Sequence, residues 1–192
     1  MNRETLSFLA LLFTMMSISG SPHPIMLIIA YAIHELGHIF FASLVGAKIQ
    51  KFKLSALHLS MSYDCSKITY GREALVCLGG IIFNLVTAGV IWLIPAFCGE
   101  ACRFFVICNL SLALMNLYPV SILDGAGVLR CVLLLKLRQD LAEKISDTVS
   151  IISVFIMWLL SVYLQLVFAS NLSLFFISVL LLMELCLSHT KI

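Results

Sequence analysis

The sequence predicts an all-α polytopic membrane protein of about six transmembrane helices, with a small interfacial β-hairpin after the second span. Three observations carry that prediction. Only 11% of the 192 residues are charged and 61% are hydrophobic, whereas a soluble domain ordinarily carries ~25% charge. The apolar residues gather into runs close to the ~20 residues that a ~30 Å hydrocarbon core demands of a helix. One stretch, Gln50–Gly71, is too polar to cross a bilayer and alternates in polarity instead.

The runs fall in order at Thr5–Ser19, Ile25–Val45, Ala74–Phe97, Phe104–Leu135 with a break inside, Thr148–Phe168 and Leu172–Leu187. The first follows Arg3 and ends at Ser19-Gly20-Ser21, so it reads either as a span or as a signal peptide. Gly20 to Pro24 equally suits a tight turn into the second run. Within the polar stretch, Leu57–Tyr63 alternates strictly, Asp64-Cys65-Ser66-Lys67 suits a turn, and Ile68-Thr69-Tyr70 can return. That pattern predicts a β-hairpin against the cytoplasmic face. His58 then becomes an interfacial surface residue.

Charge distribution orients the chain. With a cytoplasmic N-terminus, that side receives Arg3, Lys48, Lys51, Lys53, Lys67, Arg72, Lys136, Arg138, Lys144 and Lys191, and the other side receives Arg103. This asymmetry predicts both termini in the cytoplasm. Lys48, Lys51 and Lys53 read as topology signals and contacts for anionic lipid. A net charge of +2 gives no electrostatic footprint for nucleic acid. The seven cysteines form no C-x-x-C pair. Most lie in apolar runs, where a thiol behaves as a small hydrophobe. Cys98 and Cys102 share the predicted outer loop, either bridged or as thiols.

The second run contains His34-Glu35-Leu36-Gly37-His38, the pattern H-E-x-x-H. Residues four apart share a helix face, so two imidazoles there can reach one cation, with Zn–N bonds of ~2.0–2.1 Å. Glu35 would stand beside that metal, placed to take a proton from water. Two helical histidines can also simply hydrogen-bond between helices. Position weighs against this, because an ionisable side chain at mid-membrane costs ~2.5–3.5 kcal/mol on insertion scales, and a bound metal compensates several at once.

A catalytic zinc usually has three protein ligands and one open position. Asp124 is the acidic residue inside the fourth run, in Asn116-Leu117-Tyr118-Pro119-Val120-Ser121-Ile122-Leu123-Asp124-Gly125-Ala126-Gly127. His38 stands ten residues from Lys48 and Asp124 twelve from Lys136, or ~15 and ~18 Å along a helix. Both count inward from the cytoplasmic side. Zinc with ionised Glu35 and Asp124 sums to zero charge, so one metal neutralises two costly carboxylates. Pro119 removes an amide donor and Gly125 and Gly127 loosen the helix, which can turn Asp124 toward a metal. Irregular backbone at this depth needs surrounding protein or a water-filled cavity. The competing reading makes Asp124 the N-cap of a helix beginning at Gly125.

Together these motifs resemble the site-2 protease family of intramembrane zinc metalloproteases. That family pairs H-E-x-x-H with a later N-x-x-P-x-x-x-L-D-G, matched here at His34, Glu35, His38, Asn116, Pro119, Leu123, Asp124 and Gly125. A further G-P-x-x-N motif is matched at Gly80 and Asn84, with Ile81 replacing its proline. Ser121 and Ile122 stand where many relatives carry further prolines. The resemblance covers roughly Ile25 to Leu135. It implies that His34, His38 and Asp124 bind one Zn²⁺ per chain and that Glu35 is the catalytic base. It implies a minimal six-span layout closest to the sporulation-type branch, in the cell membrane of a prokaryote, with the active site toward the cytoplasm.

The expected domain organisation is one integral membrane metalloprotease domain over 1–192, its catalytic core at about 25–135 and accessory C-terminal spans at about 148–187. Asn116 is expected to orient a substrate carbonyl or stabilise an oxyanion, and Asn84 to hydrogen-bond between helices. The expected reaction is peptide-bond hydrolysis on a membrane-tethered protein segment. The hairpin would serve as a pairing edge for an unwound substrate or as a structural lid. A membrane-embedded regulator is compatible with this layout. A catalytically inactive scaffold is the alternative, and a metal transporter a further one. A transporter should line its spans with polar groups, yet here they cluster in the cytoplasmic half.

Overall fold

A computed structural model describes residues 23–54, 59–64, 68–94 and 99–168. In chain order it contains α1 (His23–Val45), β1 (Lys48–Leu54), β2 (Leu59–Asp64), α2 (Tyr70–Leu93), α3 (Glu100–Leu117), α4 (Asp124–Leu134) and α5 (Gln139–Phe168). The chain divides into two compact units at Met115/Asn116.

In the first unit, α1 begins with Pro24 in its first turn, where a missing amide donor costs nothing. It ends on Gly46, whose φ of 76° lies in the left-handed region that favours glycine. The Ala47 amide donates to the Ala42 carbonyl (2.9 Å) and the Gly46 amide to that of Ser43 (3.2 Å). This is a Schellman closure, and it satisfies carbonyls the helix leaves over. The next helix, α2, packs on α1 through glycine. A Cβ on Gly37 would collide with the Gly79 carbonyl, and one on Gly79 would lie 2.6 Å from the Gly37 oxygen. Small residues let membrane helices approach this closely and gain van der Waals contact.

The expected hairpin is overturned in its pairing. Ile68-Thr69-Tyr70 forms no strand, because Thr69 holds the N-cap position of α2 and Tyr70 begins that helix. The strand pairing is instead antiparallel between β1 and β2, running from Lys48↔Asp64 to Leu54↔Leu59 with a bulge between Ile49 and Lys51. Lys51-Phe52-Lys53-Leu54 alternates as strictly as Leu57–Tyr63, but a reading of those lysines as charge markers conceals it.

The second unit opens on a break. After α3, the Val120 amide donates to the Tyr118 carbonyl (2.8 Å) and that of Leu123 to the Val120 carbonyl (2.7 Å). These tight turns follow from Pro119, which has no amide to continue a helix. Val120 is fully buried against Val154 of α5, with Tyr118, Ile122, Leu123 and Met157 around them. Two bonds tie the break to α5: the Ser121 amide donates to Ser150 Oγ (2.8 Å) and Tyr118 Oη to the Ser153 carbonyl (3.2 Å). Ser146, Ser150 and Ser153 are all buried and share this helix face.

Four described helices are long and apolar enough to cross a membrane, over Ile25–Val45, Tyr70–Leu93, Glu100–Leu117 and Gln139–Tyr163. Each overlaps one of the four expected runs that fall among the described residues. The expected runs Thr5–Ser19 and Leu172–Leu187 and the residues Cys98 and His58 lie outside them. The run Phe104–Leu135 is two helices, and α4 has 11 residues, or ~16 Å, too short to cross alone. Large apolar side chains point outward along all four, Leu93 at 78% and Leu114 at 67% exposed among them. Lipid, not water, is the solvent such surfaces match.

Candidate metal centre

His34, Glu35 and His38 are buried residues of α1. The imidazoles of His34 and His38 bring their Nε2 atoms to 3.2 Å from one another. What lets them meet is a stripe on α2 at Val76, Gly80 and Asn84, each four residues from the next. His38 Nδ1 donates to the Val76 carbonyl at 2.8 Å. A carbonyl only accepts, so Nδ1 carries the proton and Nε2 presents a lone pair. Gly80 leaves the rings their room: a Cβ there would stand 2.6 Å from both His34 Nε2 and His38 Nε2. Asn84, fully buried, sets its amide nitrogen 3.2 Å from His34 Nδ1.

Asp124 is the first residue of α4, half-buried, and follows Leu123 at the N-cap position. Asp124 is thus not the cap. Gly125 acts by space, not flexibility, since a Cβ on it would collide with the Leu117 carbonyl and lie 2.7 Å from the Tyr118 oxygen. The helix start therefore tucks under the end of α3, where only glycine fits. His34, His38 and Asp124 each offer one ligand atom, and these atoms lie within 4.8 Å of one another.

The donor set fits zinc. Two nitrogens bound to a tetrahedral zinc at ~2.0–2.1 Å stand ~3.3 Å apart, and the Nε2 atoms here stand at 3.2 Å. Two histidines and one carboxylate leave a fourth position open, the pattern of a catalytic site. Asn116 lies half-buried in the last turn of α3. Sequence reasoning missed the Val76 carbonyl, the steric role of Gly80 and the contact of Asn84 with a candidate ligand. The four-residue spacing of 76, 80 and 84 was the available signal.

The model of peptidase family M50 matches residues 96–160. No curated protein matches the chain. Among solved structures, a site-2 protease from Methanocaldococcus jannaschii is similar at 23% identity with a TM-score of 0.70, covering 91% of this chain and 82% of that one. At this identity the likeness is one of fold. With its four apolar helices, it makes the chain an integral, multi-pass membrane protein.

Proposed function

We infer that this chain is a member of peptidase family M50 and a zinc-dependent endopeptidase that cleaves membrane-tethered protein segments. One observation carries the reading: the ligand atoms of His34, His38 and Asp124 gather within 4.8 Å, and Glu35 is the neighbour of His34 on the same apolar helix. His34 and His38 would hold the zinc through Nε2 and Asp124 through a carboxylate oxygen, one ion per chain. When bound, zinc supplies Lewis-acid polarisation of water and of the scissile carbonyl. Glu35 takes the proton of the attacking water and passes it to the departing amide nitrogen as the C–N bond breaks. Asn116 steadies the oxyanion through its side-chain amide.

The substrate is a membrane-tethered segment that can unwind locally, because a helical peptide bond keeps its carbonyl engaged. Basic residues gather between the end of α1 and the first turn of α2 and between the end of α4 and the first turns of α5, and Arg103 stands in the first turn of α3. That supports cytoplasmic termini and a site nearer the cytoplasm. The motif layout favours the sporulation-type branch of the family.

The test uses detergent-purified chain and a panel of single-span fusion proteins as substrates. Glu35→Gln should lower cleavage by ~10²–10⁴-fold with zinc content unchanged. Full activity in that variant, or in chelator-stripped protein, would contradict the mechanism.

A further inference from the structure

Asn84 contacts a candidate ligand through a group that can reverse its hydrogen-bonding role. We propose that Asn84 is a positioning residue that sets the tautomer of His34, donating to the ring without metal and accepting from it with metal; the proposal rests on the metallopeptidase reading above.

The α2 stripe treats the two histidines differently. His38 faces the Val76 carbonyl, which accepts and nothing else, so its Nε2 is always available. His34 faces a carboxamide, which offers an acceptor on one side and a donor on the other. With the amide nitrogen toward His34 Nδ1, at 3.2 Å, the ring proton sits on Nε2. It then points at His38 Nε2, also at 3.2 Å. A continuous chain results: Asn84 donates to His34, His34 to His38, and His38 to the Val76 carbonyl. Both buried rings are satisfied without any ion.

A nitrogen that ligates a metal carries no proton. As a ligand, His34 must therefore hold its proton on Nδ1 and needs an acceptor facing that atom. Asn84 has one in reserve. Its side chain is fully buried and its Oδ1 has no hydrogen-bond partner, so an acceptor stands unused in this arrangement. Turning the carboxamide half a revolution about its last bond exchanges oxygen and nitrogen in nearly the same volume. Oδ1 then accepts from His34 Nδ1 and Nε2 is bare. Leucine at this position would serve neither state, and aspartate would serve the ligating state alone.

The experiment is competition for zinc against a chromophoric chelator, with the full chain in detergent, paired with Co²⁺ titration read by its visible absorption. Asn84→Leu should weaken zinc by ~10–100-fold, and Asn84→Asp, which keeps the acceptor, should stay within about threefold of wild type. Asn84→Asp should also unfold at a lower temperature when metal-free, because its carboxylate cannot donate to His34. If Asn84→Leu fails to fold, Asn84→Ala removes the acceptor with less bulk and should weaken zinc similarly. Wild-type affinity in the Leu or Ala variant, or an Asp variant as weak as them, would overturn the proposal. Wild type that takes up no zinc would sink the metallopeptidase reading itself, a result distinguishable from either.

Discussion

At the scale of single residues, the site depends as much on what is missing as on its donors. Gly80 has no side chain where two imidazoles need the space. Gly80→Ala should therefore displace His34 or His38 and weaken zinc by at least about tenfold, comparable to losing a group that orients a ligand. Equilibrium chelator competition measures this, and unchanged affinity would show that the rings have other room. The donors themselves were legible, because H-E-x-x-H and a lone aspartate among apolar residues stand out in 192 letters. Their supports were not. A backbone carbonyl at Val76 leaves no trace in a side-chain pattern, and Asn84 reads as a generic interhelical group until its partner is known.

Among the elements, the break between α3 and α4 explains how an aspartate comes to begin a helix within an apolar region. Pro119 ends one helix, Gly125 lets the next start close beneath it, and Ser150 of α5 accepts the exposed Ser121 amide. Ser150→Ala removes the partner of that amide and should cost ~0.5–1.5 kcal/mol, read as a lower unfolding temperature. Gly125→Ala forces a methyl group into the Leu117 carbonyl, and overpacking of this kind costs ~1–3 kcal/mol or more. It should lower both stability and metal occupancy, whereas Ser150→Val should behave like Ser150→Ala. Wild-type unfolding in Ser150→Ala would detach α5 from this role. Proline and the glycines forecast the break from sequence. The hairpin was mispaired because its first strand hides behind three lysines whose charge drew the reading toward topology.

For the whole molecule, outward-facing apolar surface marks four described helices long enough to cross a membrane, and the basic segments at 48–72 and 136–144 are expected on one side of it. With the other cysteines replaced, Cys102 should react with a membrane-impermeant maleimide from outside intact cells, while a cysteine at position 51 should react only after the membrane is opened. The reverse pattern would invert the orientation. Composition made the membrane class plain, but it could not divide Phe104–Leu135 into a crossing helix and a short one, since both halves are equally apolar. If His34, His38 and Asp124 hold one metal, as proposed above, zinc content by mass spectrometry of wild type, His34→Ala and Asp124→Ala will show it. Stability of each purified variant is checked by thermal unfolding. About one zinc per wild-type chain and sharply less in both variants is the expected result, as a three-ligand site requires. Wild type without zinc, or Asp124→Ala with its zinc intact, would contradict it.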